Sequence, residues 1–317
     1  MPLNPNRGAA VERTPRARRI AAVSVPSPYA VALARIPRRE YRLEVLGAAT
    51  AVVEYGPVDA PRTLVVVHGF RGDHHGLEPV VAELPGLRII APDLPGFGGS
   101  STLPSGRPHD IDGYAAWLDA FLTASGVRGT AVLLGHSFGS IVVSAAVAAG
   151  VPAPRVVLVN PIGQPALAGP RGILTRAAVA FYRVGAALPE RLGFAALRSR
   201  LVTRIMSVSM AKTREPALRR WIHEEHDRYF SAFASRQSLL EAFRASVSHD
   251  VSEYAARIAQ PTLLIAAERD DVTPIEAQHR LVHLFPDARL VTIPDVGHLI
   301  HYETPAIAAR AIEEFLA

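Results

Sequence analysis

Ser137 lies at the centre of a glycine-flanked stretch, Gly135-His136-Ser137-Phe138-Gly139. An apolar run typical of a strand precedes it at residues 130–134, and a run typical of a helix follows it at residues 138–149. The stretch fits the G-x-S-x-G pattern, in which a sharp strand-to-helix turn holds a serine hydroxyl clear of a sheet as a nucleophile. Bulky side chains two residues before or after the serine would not fit such a turn. The helix start also brings unpaired N–H groups and a positive dipole end to the oxygen at which charge develops.

A series of short apolar runs predicts the strands that carry this turn. The predicted strands cover residues 41–46, 49–55, 64–67, 88–91, 130–134, 155–159, 262–266 and 289–293, the first two paired through a turn at Gly47. Most of the later runs are continuously apolar, which indicates strands buried on both faces of a parallel sheet. Helical patterns lie between them at residues 77–84, 111–125, 138–149, 275–285 and 304–316. This alternation predicts an α/β fold with a doubly wound, mostly parallel sheet flanked by helices.

Residues 161–255 interrupt the alternation. Apolar residues recur there at helical spacing, as in Leu218, Ile222 and Tyr229, without a convincing buried strand. An insertion at the carboxyl ends of parallel strands lies over the place where such sheets bind ligands. We therefore predict a core at residues 41–160 and 256–317, with a helical cap at 161–255 acting as a lid. Asp250 and Glu253 predict a capping box that opens one more helix back to the core.

Residues 1–40 are rich in arginine and interrupted by prolines. Pro26 and Pro28 split the apolar residues that a signal peptide would need in one block. The segment is interpreted as a flexible arm or a strap over the fold, with a membrane-surface anchor as the alternative. No apolar run approaches the ~18 residues of a membrane helix. These features predict a soluble, cytoplasmic protein without stable membrane insertion.

Composition narrows the classes of function. The formal charge of +5 comes from arginines spread along the chain, with Lys212 as the only lysine, and no nucleic-acid motif accompanies them. Nucleic acid is therefore not an expected partner. The chain has no cysteine, which excludes a disulfide framework, a thiolate nucleophile and cysteine metal sites.

Several segments together resemble one known superfamily. These are His68-Gly69, the run from Asp93 to Ser100, Gly135 to Gly139, Glu268-Arg269-Asp270 with Pro274, and Gly297-His298. In this order they resemble the α/β-hydrolase superfamily with a helical cap, over roughly residues 41–317. The resemblance implies Ser137 as nucleophile, His298 as base and Asp270 as the acid that orients the base. It also implies an oxyanion hole formed by the backbone N–H groups of Phe70 and Phe138, and no cofactor.

The acid segment departs from the family pattern. The family usually has glycine where this chain has Ala267, and a non-acidic residue where it has Asp271. The spacing to Pro274 favours Asp270 as the catalytic acid, and one carboxylate of the pair is then expected to cap a turn before Thr273-Pro274.

Candidate pocket residues come mainly from the predicted cap. We expect the substrate to contact His68, Phe181, Trp221, Tyr229 and Phe243. His68 could otherwise be a second base, but the resemblance implies that it braces the oxyanion loop. His74-His75 is expected to form a surface turn, with substrate contact as the alternative.

No metal site is predicted. His223 and His226 stand three residues apart on a predicted helix, a spacing that could hold a metal. Because no further ligand is evident, a solvated polar face of the cap is the preferred interpretation.

The expected activity is cofactor-independent hydrolysis of a small or medium-sized apolar carboxylic ester through an acyl-enzyme. A hydrolase of C–C bonds in diketone-like compounds would use the same residues, and a ligand receptor that retains them is an alternative of another class. Ser137 argues against dehalogenases and epoxide hydrolases of this superfamily, which carry an aspartate nucleophile. Cofactor-free haloperoxidases usually lack so large a cap, and a lyase or synthase stays open. The sequence leaves the oligomeric state open.

Overall fold

A computed structural model describes residues 25–165 and 172–317. The strands of its described residues are β1 (Arg38–Val45), β2 (Ala48–Tyr55), β3 (Thr63–Val67), β4 (Arg88–Pro92), β5 (Val132–His136), β6 (Val156–Val159), β7 (Thr262–Ala267) and β8 (Ala288–Ile293). They form an eight-stranded sheet in the order β1-β2-β4-β3-β5-β6-β7-β8. The pairs β1–β2 and β2–β4 are antiparallel, and all other neighbours are parallel. The predicted mostly parallel sheet is confirmed.

Helices cover both faces of the sheet. They are α1 (Ala30–Leu33), α2 (Glu78–Ala82), α3 (Ile111–Ala124), α4 (Phe138–Ala148), α5 (Gly172–Ala187), α6 (Glu190–Leu197), α7 (Arg200–Met210), α8 (Pro216–Tyr229), α9 (Arg236–Ser248), α10 (Ile275–Val282), α11 (Ile300–Glu303) and α12 (Pro305–Leu316). Within β3, Val65 and Val67 pack on the side of α3 and α4, while Leu64 and Val66 pack on the side of α2 and α12. Continuous apolarity in the strands therefore reflects burial on both faces.

Helices α5–α9 lie between β6 and β7 and are called the cap below. Residues 166–171, at the start of the predicted insertion, lie outside the described residues. The sequence did not predict α6 and α7. In α7 the buried residues are the polar Thr203 and Ser207, while Leu201, Ile205 and Val208 are exposed, so its apolar residues do not form a single inward stripe.

The predicted capping box is present, but the helix expected after it is not. The Asp250 side chain accepts from Ser252 N at 2.8 Å, and Asp250 N donates to Glu253 Oε1 at 2.9 Å. Two short 3₁₀ turns follow, Val251–Glu253 and Ala255–Arg257. Pro261 stands just before β7, and its missing N–H and its restriction on the preceding residue stop a longer helix there.

The end of the predicted arm bridges core and cap, while residues 1–24 lie outside the described residues. The Tyr29 hydroxyl donates to Tyr302 O at 3.1 Å, and its ring meets Trp221 of α8 edge-on at 5.5 Å. Strand β1 begins at Arg38, so the arm is shorter than predicted. In the described part of the chain, no helix is long and apolar enough to cross a membrane.

Candidate active site

Ser137 occupies the tight turn between β5 and α4, with φ 52° and ψ −118°. A Cβ atom on Gly135 would lie 2.4 Å from the Gly139 carbonyl oxygen, and one on Gly139 would lie 2.2 Å from the Val67 oxygen. Both distances are far below van der Waals contact, so any side chain at either position would force the turn apart. The two glycines therefore permit the strained backbone at Ser137.

The structure brings Ser137, His298 and Asp270 into one chain of hydrogen bonds. His298 Nε2 lies 2.9 Å from Ser137 Oγ, and His298 Nδ1 lies 2.8 Å from Asp270 Oδ2. The side chains of His298 and Asp270 are 6% and 0% exposed. With Nδ1–H donating to the carboxylate, Nε2 is left to accept the serine proton, which is the arrangement that nucleophilic catalysis requires.

Asp270 is held as an anion by its surroundings. Its Oδ1 accepts from the backbone N–H groups of Val272 and Thr273 at 2.7 and 3.0 Å, and its Oδ2 accepts from Thr273 Oγ1 at 2.5 Å. Burial alone would raise the pKa of Asp270, but His298 and the Thr273 hydrogen bonds outweigh burial and lower the pKa below its ordinary value. The turn-capping role expected of one acid therefore also falls to Asp270.

Asp271 forms an ion pair with the cap. Its side chain is 52% exposed and pairs with Lys212 Nζ of the cap at 2.5 Å. Of the two neighbouring acids, the structure thus brings Asp270 and not Asp271 to His298.

Phe70 and Phe138, the residues expected to supply the oxyanion donors, line the same cavity as Ser137. In the described residues no hydrogen bond occupies the N–H of Phe70 or of Phe138. The loop carrying Phe70 presses against the turn, since a Cβ on Gly69 would lie 3.3 Å from Ser137 Cβ. This arrangement suits stabilisation of a developing oxyanion. The assignment of the two N–H groups to this role stays a prediction.

His68 braces the loop. Its Nε2 accepts from Leu94 N at 2.8 Å, and its Nδ1 donates to Gly69 O at 2.8 Å. Complete burial lowers the pKa of His68 despite the nearby Asp93. Both ring nitrogens are occupied, so His68 is placed to position the loop rather than to act as a second base.

A cavity of about 230 Å³ lies beside Ser137. Its lining is mostly apolar and includes the rings of Phe70, Phe138, Phe230 and Phe243 and the thioethers of Met206 and Met210. Core loops and cap helices contribute together, so the cap covers the serine. Such a cavity suits an apolar group attached to a reacting carbonyl.

Of the expected pocket residues, His68 and Phe243 line this cavity, whereas Phe181, Trp221 and Tyr229 do not. Trp221 is packed edge-on between Tyr29 and Tyr302, and Tyr229 stacks on His75 at 3.8 Å. Phe181 packs against Tyr182 at 5.5 Å. Helical periodicity shows that such rings face inward, but it does not show which neighbour they meet. For the same reason Met206, Met210 and Phe230 were missed.

Two further histidines stand behind His298. The ring centroid of His136 lies 5.7 Å from that of His298 and 4.2 Å from that of His301. Burial, reinforced by neighbouring His298, lowers the pKa of His136 to about 3, and burial with His136 lowers the pKa of His301 well below its usual range. Both rings are therefore neutral, which spares His298 a competing positive charge. The sequence carried no signal for His301.

The histidines of the predicted polar cap face are buried instead. His223 and His226 are 9% and 0% exposed, and their Nδ1 atoms lie 2.6 and 2.7 Å from the same Ser207 Oγ. Burial lowers the pKa of His226 to about 3. The pair thus joins α8 to α7 through the Ser207 hydroxyl. The prediction that these two histidines lie on a solvated face of the cap is wrong.

The loop after Phe70 gathers Asp73, His74 and His75, with potential ligand atoms within 4.8 Å of one another. However, His74 Nδ1 lies 2.9 Å from Asp93 Oδ1, and His75 Nδ1 lies 3.0 Å from Asp73 Oδ1. The His74 side chain is 12% exposed, so the expected surface turn is partly buried. These contacts brace the loop that carries the candidate oxyanion donor Phe70.

Comparisons with known proteins agree with this architecture. The chain is 24% identical to Lipase 1 of Psychrobacter immobilis over 249 residues, covering 76% of this chain and 72% of the relative. It is 28% identical to a non-heme chloroperoxidase of Burkholderia pyrrocinia over 262 residues, covering 77% and 87%. Its fold matches a thermophilic esterase from Thermogutta terrifontis with a TM-score of 0.70 at 24% identity, covering 88% of this chain and 98% of that one. A sequence profile described as the alpha/beta hydrolase family matches residues 64–311, so the chain belongs to this family.

Proposed function

We propose that this protein is a serine hydrolase that cleaves carboxylic esters of small or medium-sized apolar substrates through an acyl-enzyme on Ser137. The observation that carries the proposal is the hydrogen-bonded chain from Ser137 through His298 to Asp270 beside a mostly apolar cavity. The lipase and esterase relatives support the choice of bond.

The reaction follows from the positions of these groups. His298 Nε2 takes the hydroxyl proton as Ser137 Oγ attacks the ester carbonyl, and the N–H groups of Phe70 and Phe138 stabilise the oxyanion. His298 then gives the proton to the leaving alcohol. Water, activated by the same imidazole, releases the acid and frees Ser137. Asp270 stays ionised throughout and stabilises the imidazolium that forms in each half-reaction.

The cavity limits the apolar part of the substrate. The cavity of about 230 Å³ has room for a short chain, since an apolar cavity of ~150 Å³ already accommodates benzene. Each methylene buried there should contribute about 0.8 kcal/mol of binding. We therefore expect kcat/KM to rise along a series of nitrophenyl esters and to level off once the cavity is full.

A fluorophosphonate probe tests the nucleophile. Wild-type protein should gain the mass of one phosphonyl group, whereas Ser137→Ala should gain none and should lose a factor of roughly 10³ to 10⁶ in kcat. Labelling that persists in Ser137→Ala would contradict the proposal.

A substrate panel separates the competing functions. Turnover of nitrophenyl esters supports ester hydrolysis. Faster turnover of a vinylogous diketone would instead indicate cleavage of C–C bonds. Saturable binding of the same compounds with negligible turnover would indicate a receptor.

A further inference from the structure

Helix α7 exposes a row of aliphatic side chains on the outside of the cap. Leu201, Ile205 and Val208 follow one another at i, i+4 and i+7, and they are 69%, 61% and 57% exposed. Residues at this spacing lie on one side of a helix. These three residues are called the α7 ridge.

The opposite side of the helix combines buried hydroxyls with the two methionines that line the cavity. Thr203 and Ser207 are 1% and 0% exposed, and Ser207 Oγ contacts both His223 and His226 of α8. A surface helix of a globular protein normally turns its apolar side inward and its polar side to water. Helix α7 buries two hydroxyls and leaves three aliphatic side chains in water, so its outer face is better suited to an apolar environment than to water.

Arginines of α7 itself stand beside the ridge. Residues 172–210, which span α5 to α7, contain six arginines and a single acid, Glu190. Arg200 is exposed beside Leu201, and Arg204, which pairs with Asp227, lies one turn further along the helix. Arginines next to an exposed apolar row match the headgroups and the acyl region of an anionic bilayer.

We propose that the α7 ridge docks this protein on the surface of an anionic lipid bilayer. The helix lies flat in the interface, with the ridge among the acyl chains and the arginines at the phosphates. Three partly exposed side chains fall well short of the ~800 Å² per partner that a stable protein interface buries. Lipid is therefore a better occupant than a second copy of the chain.

The same helix reaches the cavity. Met206 and Met210 of α7 line the cavity beside Ser137, so a bilayer-bound molecule holds its cavity close to the lipid. Docking itself does not depend on ester cleavage and can be measured without it.

The experiment is sedimentation of full-length protein with vesicles of phosphatidylcholine alone or mixed with phosphatidylglycerol. All proteins carry Ser137→Ala, so that vesicle lipids stay intact. The ridge variant carries Leu201→Gln, Ile205→Gln and Val208→Gln, since glutamine keeps the helix propensity. The matched control carries Val58→Gln, Leu284→Gln and Ile307→Gln, which are 54%, 46% and 46% exposed on the core.

We expect the parent protein and the control to bind mixed vesicles, and the ridge variant to bind about tenfold or more weakly. Arg200→Gln should weaken binding to mixed vesicles about fivefold. Equal binding by the ridge variant and the control would overturn the proposal, as would absence of binding by the parent protein. A parent dimer that the ridge substitutions convert to monomers, seen by analytical ultracentrifugation, would assign the ridge to a second copy instead.

Discussion

Replacing Arg71 with methionine should both destabilise the protein and slow the chemical step. Arg71 follows Phe70 in the oxyanion loop and is 1% exposed. Its Nε donates to Phe230 O at 2.9 Å, its Nη1 to the Tyr182 hydroxyl at 3.2 Å and its Nη2 to Leu197 O at 2.8 Å. All three acceptors belong to the cap. A single core side chain thus ties three parts of the cap to the loop that carries a candidate oxyanion donor.

The cost in stability follows from these contacts. A hydrogen bond from a charged donor contributes about 1.5–3 kcal/mol, and losing the donor leaves buried acceptors without a partner. Because such losses are not additive, we expect Arg71→Met to lower the free energy of unfolding by about 3–5 kcal/mol. This loss is a large fraction of the ~5–15 kcal/mol typical of a folded protein.

The expected decrease in kcat follows from the backbone conformation of Arg71. Arg71 has φ 63°, in the left-handed region that side chains other than glycine seldom adopt. Such a conformation persists only while the surroundings enforce it. Without its cap contacts, residue 71 should relax and turn the neighbouring Phe70 N–H away from the oxyanion. Complete loss of one donor costs about 10²–10³ in kcat, so we expect a fall of about 10 to 10².

Urea denaturation and nitrophenyl ester kinetics measure the two effects. The matched control is Arg198→Met, because Arg198 Nη2 donates to Phe233 O at 2.9 Å within the cap. The control should keep its kcat and lose little stability. A wild-type kcat in Arg71→Met, together with an unchanged denaturation midpoint, would refute this reasoning.

Three further predictions concern the acid, the cavity and pH. Asp270→Asn should lower kcat by a factor of about 10⁴, because the amide favours the wrong tautomer of His298. Asp271→Asn should lower kcat much less. The reverse ranking in ester kinetics would assign the role of catalytic acid to Asp271. Phe243→Ala should extend the preferred acyl chain, since this ring lines the cavity, while Phe181→Ala should not; equal shifts in the two chain-length profiles would exclude this lining. Burial lowers the pKa values of His136 and His226 to about 3. In the unfolded chain these histidines have an ordinary pKa of ~6.5, so they bind protons more readily than in the folded protein. As the pH falls below ~6.5, the free energy of unfolding should therefore decrease by about 1.4 kcal/mol per pH unit for each histidine, and the decrease should end near pH ~3. Urea denaturation at several pH values measures this slope, and stability that does not change between pH 7 and pH 5 would show that the rings are not held neutral.

The sheet could be predicted because its signals are local. The runs at residues 64–67 and 262–266 are continuously apolar, and the strands differ from these predictions by one residue at an end. The turn at Ser137 was equally readable, because the requirement for Gly135 and Gly139 is steric and acts within a few residues. The sequence could not decide between Asp270 and Asp271 as the acid, because neighbouring residues on a loop point in different directions. Only their positions in space distinguish the two.

The cap could be predicted as helical but not in its contacts, and the physical reason is visible at Arg71 and α7. The partners of Arg71 lie 111 to 159 residues further along the chain, in helices whose periodicity says nothing about their partners. In α7 the most deeply buried side chains carry hydroxyls and three aliphatic side chains are exposed, so a rule that places apolar residues inside misassigns these five positions. Both wrong or missing predictions concern contacts that the cap makes outside itself. Arg71 joins the cap to the loop that carries Phe70, and the outer face of α7 meets the surroundings of the molecule. Departures from local consistency of this kind are expected where function constrains the chain, so they mark the residues whose replacement tests the proposals most directly.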